Sequence, residues 1–230
     1  NITLEMYALP QYALSTTLRM LIAMVLSILF TLIVAPLAAK NEKAEKIILP
    51  LIDIMQSIPA LGILSISVII FINIFPNNIL GPECASIFTI FTSQVWNMTL
   101  ALYQSIITIP KELIETAKIN QLSNFQQFWK IELPYGIPNL LWNAMISMSS
   151  GWFFVVISEA ISISNIYITL PGMGSYINKA IIEANVPAMI YSIITMFIII
   201  LIYDQLLFRP LLSWAEKFKH DYEISEKSYK

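Results

Sequence analysis

Six polar or acidic residues stand inside stretches of the chain that are otherwise almost wholly apolar, and their side chains are the first candidates for chemistry. The six are Asp53, Gln56, Ser57, Gln94, Asn97 and Glu159. Asp53, Gln56 and Ser57 are spaced i, i+3 and i+4, which places them on one face of a helix. Polar groups at membrane depth are costly unless they face water or each other. If these stretches span a membrane, the six residues are predicted to line a pathway across it.

Some of these positions also admit a simpler interpretation. Asp53 can lie near the membrane surface and pair with a neighbouring charge, and Glu159 can be a helix-end charge rather than a gate. Ser147 and Gly151 lie four residues apart. That spacing favours close packing between helices in lipid over contact with a transported molecule.

The sequence gives little indication that the protein is an enzyme. Cys84 and His220 are the only cysteine and histidine, so an intrachain disulfide and a Cys/His metal site are both excluded. The HExxH and GxSxG motifs are absent, and so is a Gly-rich phosphate loop. Asp53 and Glu159 make no recognisable acid–base pair. We therefore expect no catalytic residue, cofactor or metal, and the net charge of −2 gives no reason to expect nucleic acid.

The composition is that of an integral membrane protein. Of the 230 residues, 57% are hydrophobic and 12% are charged, and the mean hydropathy is +0.71, whereas about 25% charged residues is usual in soluble domains. A soluble all-α protein is the weaker alternative, because soluble helices of this length carry a polar face. The chain begins at Asn1 rather than Met and shows no cleavable signal peptide, which fits a piece of a longer protein.

Five stretches are long and apolar enough to cross a membrane, which takes about 20 residues. They are residues 18–39, 47–74, 85–107, 137–161 and 188–208. The second stretch is interrupted by Pro50 and Pro59. The predicted organisation is an all-α transmembrane domain over residues 1–215 and a charged cytoplasmic tail over residues 216–230.

The distribution of lysine and arginine predicts the orientation of these spans. If the five spans alternate, eleven of the 13 basic residues fall on one side, in segments 40–46 and 108–134 and after residue 208. The opposite side has only Lys179. Because short cytoplasmic loops carry the excess of basic residues, we expect the C-terminus and the 108–134 loop to be cytoplasmic and the N-terminus to lie outside.

The 108–134 loop, called the elbow below, is predicted to form two short helices. Pro110 suits the first position of a helix, and Ser123 with Gln126 fits a capping box that opens the second one. The terminal Leu-Pro pair is expected to close that helix, since a residue before proline disfavours the α conformation. By periodicity alone, an amphipathic helix lying on lipid headgroups is an equally good interpretation.

The spacing within the elbow resembles the EAA loop of ABC importer permeases of the binding-protein-dependent type. The matching residues are Glu115, Thr116, Ala117, Ile131, Leu133 and Pro134. Gln121 stands where the family pattern has glycine. Since a left-handed backbone would cost energy at glutamine, the turn there is expected to be wider or helical.

The resemblance extends over most of the chain. The segments LRMLIAMVLSILFTLIVAPLA, PLIDIMQSIPALGIL and YDQLLFRPLLSWAEKF look like the first, second and last helices of such permeases. Together with GWFFVVISEAI they look closest to the nitrate, sulfonate and taurine branch, in which some members carry two permease halves in one polypeptide. The implied fold is the type I importer permease of the bacterial inner membrane.

In this family the loop binds a cytoplasmic ATPase subunit, and the resemblance places Glu115, Thr116 and Ala117 at that contact. It also implies a second permease half, which is a copy, a homologue or a fused domain, and an external solute-binding protein. The Pro171-Gly172-Met173-Gly174 turn is expected to shape an outer gate or the docking site of that protein.

The implied function is ATP-driven import of a small solute, and the branch suggests an anion such as nitrate or a sulfonate. The main alternative is a secondary transporter or channel that is not coupled to an ATPase. Such a protein would not need a structured cytoplasmic elbow, and it would more often show broken helices in repeated halves. A membrane-embedded enzyme is the third class, with the least support.

Overall fold

The computed structural model describes residues 2–163 and 166–228, except for the side chains of residues 60–61, 161–168 and 219–228. After a 3-10 turn at Met6–Ala8, the elements are α1 (Leu9–Lys40), α2 (Glu42–Ser57), α3 (Ala60–Ile74), α4 (Leu80–Ile107), α5 (Lys111–Ile119), α6 (Asn124–Gln127), α7 (Leu133–Glu159), β1 (Ala160–Ile163), β2 (Ile166–Thr169), α8 (Met173–Ile182), α9 (Val186–Tyr203) and α10 (Arg209–Ser228). π-helical segments at Phe128–Glu132 and Asp204–Phe208 lead into α7 and α10. The fold is therefore almost wholly helical.

Three continuous helical stretches in the described chain are long and apolar enough to cross a membrane. They are Met6–Lys40, Asn124–Glu159 and Val186–Phe218, and α2 with α3 counts as a fourth if the two are taken as one bent span. Adding α4, which has 28 residues but a lower hydropathy because polar side chains interrupt it, gives the predicted set of about five. The prediction of an all-α integral membrane fold is confirmed.

The predicted second span is two separate helices rather than one. The break falls at Ile58 and Pro59, between α2 and α3, because proline lacks an N–H and restricts the residue before it. Pro50 lies inside α2 without ending it.

Two other predicted ends need correction. Residues 160 and 161 of the predicted fourth span belong to β1, which pairs antiparallel with β2 through Ala160 opposite Thr169, and this hairpin was not predicted. The chain after residue 208 continues as the helix α10.

The first of two compact units is formed by the chain up to Ser27, by Ser57–Gln94 and by Met148–Asp204. One apolar cluster in it joins the start of α1 to α8 and includes Leu9, Tyr12 and Tyr176. Another joins α3, α4 and the segment after β2 and includes Leu64 and Leu170. These clusters place α8 beside the start of α1, and the start of α4 beside α3 and the end of α7.

The second unit comprises Ile28–Gln56, Val95–Ser147 and Gln205–Lys230, and it contains the elbow. Hydrogen bonds between side chains connect its helices. Thr31 on α1 lies 3.1 Å from Thr99 on α4, oxygen to oxygen, and Asn139 on α7 donates to Ser105 on α4. The Tyr103 hydroxyl on α4 also donates to the Glu45 carboxylate on α2. The elbow therefore connects helices that form hydrogen bonds with one another.

Candidate functional site

The first arm of the elbow is α5, and it ends in a left-handed turn at Gln121. The Leu122 N–H donates to the carbonyl of Ala117 and the Gln121 N–H donates to that of Lys118, the two bonds of a Schellman motif. Gln121 has φ of +51°, the conformation that glycine adopts most easily. The expectation of a wider or helical turn was therefore wrong: the glutamine takes the backbone geometry of the glycine that it replaces.

We expect Gln121→Gly to stabilise the elbow locally by about 1 kcal/mol, because the left-handed conformation costs a residue with a Cβ roughly 1–2 kcal/mol and glycine returns part of that gain through its freer unfolded state. Hydrogen–deuterium exchange of the α5 amides should slow about fivefold. The matched control is Gln121→Ala, which keeps a Cβ and should leave the exchange rate unchanged. Equal effects of glycine and alanine would refute the role of backbone strain.

The second arm begins with the predicted capping box, which is confirmed. The Gln126 N–H donates to Ser123 Oγ and the Ser123 N–H donates to Gln126 Oε1. The predicted end at Leu133-Pro134 was wrong, because the π-helical segment runs directly into α7. A π turn is wider than an α turn, which leaves room for the proline ring at the second position of α7.

The predicted ATPase-contact residues do not all face outward. Glu115 and Thr116 are exposed, whereas Ala117 is 1% exposed and so packs within the chain. The small side chain of Ala117 therefore serves the packing of α5 within the chain, and its contact with an ATPase stays a prediction. Ile119 is 80% exposed, and it was not singled out from the sequence. Farther along the elbow, Ile131 is half-buried and Leu133 is buried.

The predicted pathway residues separate into exposed and buried sets. Asp53, Gln56 and Ser57 on α2 are exposed, as is Asn97 on α4. Gln94 is buried, with its amide nitrogen 3.5 Å from the Met20 sulfur. Asn97 and Gln94 therefore differ in surroundings although they lie one turn apart.

Gly151 on α7 allows α1 and α4 to approach closely. A Cβ there would lie 2.5 Å from both the Gln94 amide nitrogen and the Met20 Cε, so a larger residue would have to displace the ends of these two side chains. The prediction of close helix packing at this position is confirmed, and the side chain of Gln94 takes part in that packing.

Glu159 is buried at the end of α7 in an ion-pair network, called the Arg19 cluster below and formed by Thr16, Arg19, Glu83 and Glu159. Arg19 Nη1 lies 2.7 Å from Glu159 Oε1, and Arg19 Nε and Nη2 lie 2.6 and 2.7 Å from the two Glu83 oxygens. Thr16 Oγ1 also donates to Glu159. Glu159 is thus a charge at the end of a helix, as one interpretation of the sequence held, and it is buried and paired with Arg19.

Backbone groups of residues 171–174, at the start of α8, form hydrogen bonds with this cluster. The Gly174 N–H donates to Glu159 Oε2 at 2.8 Å, the Met173 N–H donates to Thr16 Oγ1, and Arg19 donates to the Pro171 carbonyl. The predicted turn at residues 171–174 is thus bound to Glu159 by hydrogen bonds. Buried carboxylates are stable when paired and hydrogen-bonded in this way.

A second buried acid is Glu132 in the elbow, which, unlike Glu159, was not among the candidates from the sequence. Its Oε2 lies 2.9 Å from Lys40 Nζ at the end of α1, and its Oε1 accepts from Gln127. The sequence feature that could have identified Glu132 is its place directly before the apolar Leu133-Pro134 pair. Among the described residues, no group of three His, Cys, Asp or Glu side chains could hold a metal ion.

These features define a helical membrane protein with a structured loop between its spans. The chain belongs to the family described as binding-protein-dependent transport system inner membrane component, whose model matches residues 27–208. It is an ABC importer permease. The family is one of transporters, not enzymes, and its members act in a membrane.

Relatives with curated names agree with this assignment. A probable ABC transporter permease protein of Brucella abortus is 26% identical over 203 residues, which cover 86% of this chain and 75% of that protein. The nitrate import permease protein NrtB of Leptolyngbya laminosa is 25% identical over 113 residues, 49% of this chain and 38% of that protein. The bicarbonate transport system permease protein CmpB of Synechococcus elongatus is 21% identical over 182 residues, 79% and 59% of the two chains.

A solved structure shares the fold. An inward facing conformation of the MetNI methionine ABC transporter superposes with a TM-score of 0.76 at 17% identity, covering 91% of this chain and 96% of that chain. The chain therefore has the fold of a type I importer permease.

Proposed function

We propose that this chain couples ATP hydrolysis to import through the elbow, which binds a cytoplasmic ATPase subunit. The observation that carries the proposal is the geometry of α5. Its end keeps a left-handed turn although Gln121 replaces glycine, and Glu115, Thr116 and Ile119 project outward from it. A rigid helix that presents exposed side chains is suited to binding a protein cleft.

The proposed contact combines charge with apolar burial. The exposed Glu115 carboxylate can accept hydrogen bonds from an arginine or lysine of the ATPase. Ile119 is 80% exposed at the end of a polar helix, and contact with a partner would remove that apolar surface from water. Thr116 lies next to Glu115 and belongs to the same proposed surface.

We further propose that the elbow and the C-terminus are cytoplasmic, in a bacterial inner membrane. The support is the excess of basic residues in segments 40–46 and 108–134 and after residue 208, against the single Lys179 on the other side. In this orientation α8 lies outside, where a solute-binding protein would bind.

The proposed pathway forms with a second permease half, which is a copy, a homologue or a fused domain. Asp53, Gln56 and Ser57 are exposed on α2 and Asn97 is exposed on α4. Exposed polar groups at membrane depth are stable only beside water or a protein partner, so we assign these four to the pathway. Gln94 is assigned to helix packing instead, and Glu159 to the Arg19 cluster.

The proposed substrate is a small anion such as nitrate or a sulfonate. Two of the relatives carry names of permeases for nitrate and for bicarbonate, which are small oxyanions. Arg19 does not serve as the anion site, since Glu83 and Glu159 already bind it. We therefore expect the external binding protein to provide most of the selectivity.

The test is co-purification of the full-length tagged protein from membranes in mild detergent. An ATP-hydrolysing subunit, identified by mass spectrometry, should accompany the wild type. Its recovery should fall at least tenfold with Ile119→Glu, because a carboxylate replaces the apolar contact. The matched control is Ile182→Glu on α8, which is 75% exposed and should retain the ATPase.

Two results would count against the proposal. If Ile119→Glu and Ile182→Glu retain the ATPase equally, α5 is not the contact surface. If no ATPase accompanies the wild type, the elbow is better described as an interfacial helix, and a secondary transporter becomes the leading alternative.

A further inference from the structure

We infer that the ion pair between Lys40 and Glu132 is the link that carries motion of the elbow into the first span. Lys40 is the last residue of α1, and Glu132 is the last residue of the π-helical segment of the elbow. The inference rests on the proposed function, because it explains how an ATPase bound at α5 would act on a membrane helix. Both residues are positioning residues in this scheme.

Lys40 contacts the second arm of the elbow at three successive turns. Its Nζ lies 2.9 Å from Glu132 Oε2, 3.4 Å from the carbonyl oxygen of Asn124 and 5.9 Å from the centroid of the Phe128 ring. These positions are spaced i, i+4 and i+8, so they lie along one face of the arm. One ammonium group thus attaches α1 to the whole length of that face.

The surroundings of Glu132 make the link difficult to break. Its side chain is 2% exposed, whereas that of Lys40 is 33% exposed. The other carboxylate oxygen accepts from Gln127 within the same arm at 2.8 Å. If the arm moved without α1, Glu132 would remain buried without its cation, which is strongly unfavourable. The second arm and the end of α1 therefore move together.

The π-helical segment explains why the link lies here. Single π turns inside helices often mark functional positions, because they disturb the regular ladder of hydrogen bonds. The segment from Phe128 to Glu132 lies between α6 and α7, and Lys40 contacts both its first and its last residue. Lys40 therefore holds the segment through which the elbow continues into α7.

The test follows backbone exchange in the complex of the full chain with its co-purified ATPase. Hydrogen–deuterium exchange is measured without nucleotide and after trapping with ATP and vanadate. In the wild type, trapping should change exchange both in the elbow and in the last turns of α1. Glu132→Gln and Lys40→Met should keep the change in the elbow and reduce that in α1 at least twofold.

Two controls separate a link from simple structural support. Lys43→Met removes an exposed lysine three residues along the chain and should behave as the wild type. The double exchange Lys40→Glu with Glu132→Lys should restore at least half of the response in α1. Retained ATPase binding in the single variants would show that the elbow still folds.

Other outcomes overturn the inference. It fails if trapping leaves α1 unchanged in the wild type while the elbow responds, or if Glu132→Gln and Lys40→Met keep the full response in α1. It also fails if the single variants lose the bound ATPase, since the pair would then only support the fold of the elbow. Absence of an ATPase from the wild-type preparation would instead refute the proposed function, and this inference with it.

Discussion

Replacing Arg19 by methionine is expected to destabilise the protein by about 3–5 kcal/mol, because it removes one partner of a buried ion-pair network. Arg19 holds Glu83 through two bonds and Glu159 through a third. Without the guanidinium, two carboxylates would remain close together without a cation, and one of them is fully buried. The measurement is the free energy of unfolding in a reversible detergent titration, with helix content as the signal.

A matched variant distinguishes a lost charge from lost packing. Combining Arg19→Met with Glu83→Gln and Glu159→Gln removes all three charges while retaining side chains of similar size. Because the high cost of a broken buried ion pair comes from the charge left without a partner, the triple variant, which leaves no such charge, should recover much of the stability lost in Arg19→Met. If the triple variant is less stable than Arg19→Met, the loss arises from packing and the electrostatic explanation fails.

The general class of fold was predictable because membrane helices are defined by local composition. A span requires about 20 apolar residues in a row, and α1, α7 and α9 meet that requirement without reference to the rest of the chain. Proline also acts on its immediate neighbours, but that rule did not distinguish Pro59, where the helix breaks, from Pro50, which lies inside α2. The capping box at Ser123 depends on residues only three apart.

The networks of charges were not predictable, because they depend on contacts between distant parts of the chain. Arg19 and Glu159 are 140 residues apart in sequence, and no local pattern shows that they meet. Glu159 was assigned to a pathway because a carboxylate in a span usually faces water or a partner. Its partner is Arg19, and no sequence pattern connects the two residues.

The elbow shows two ways in which a prediction from the local sequence can fail. Spacing placed Ala117 beside exposed residues on α5, but burial depends on which side of the helix faces the bundle. The backbone at Gln121 shows the second way, because this residue adopts a conformation that its type disfavours. A residue with a Cβ disfavours the left-handed region, yet the turn is left-handed, and the two Schellman bonds at the end of α5 hold Gln121 and Leu122 in it.

Gly174→Ala is expected to destabilise the protein by about 3 kcal/mol, because the first turn of α8 leaves no room for a methyl group. An ideal Cβ at this position would collide with the backbone carbonyl oxygen of Val156 and would lie 3.0 Å from Glu159 Cβ. Overpacking typically costs about 1–3 kcal/mol. Displacement of α8 would also weaken the bond from the Gly174 N–H to Glu159 Oε2, and a hydrogen bond to a charged group contributes about 1.5–3 kcal/mol.

Gly62→Ala on α3 is the matched control for this variant, because no atom in the described part of the chain lies within 4 Å of its Cβ position. An alanine inside a helix is favoured over glycine by roughly 0.5–1 kcal/mol, so this variant should be unchanged or slightly more stable in the same detergent titration. Opposite signs at the two glycines would show that the turn before α8 is fitted closely around Glu159. A neutral Gly174→Ala would mean that α8 can shift freely, and the hydrogen bonds at Glu159 would then be a consequence of folding rather than a constraint on it.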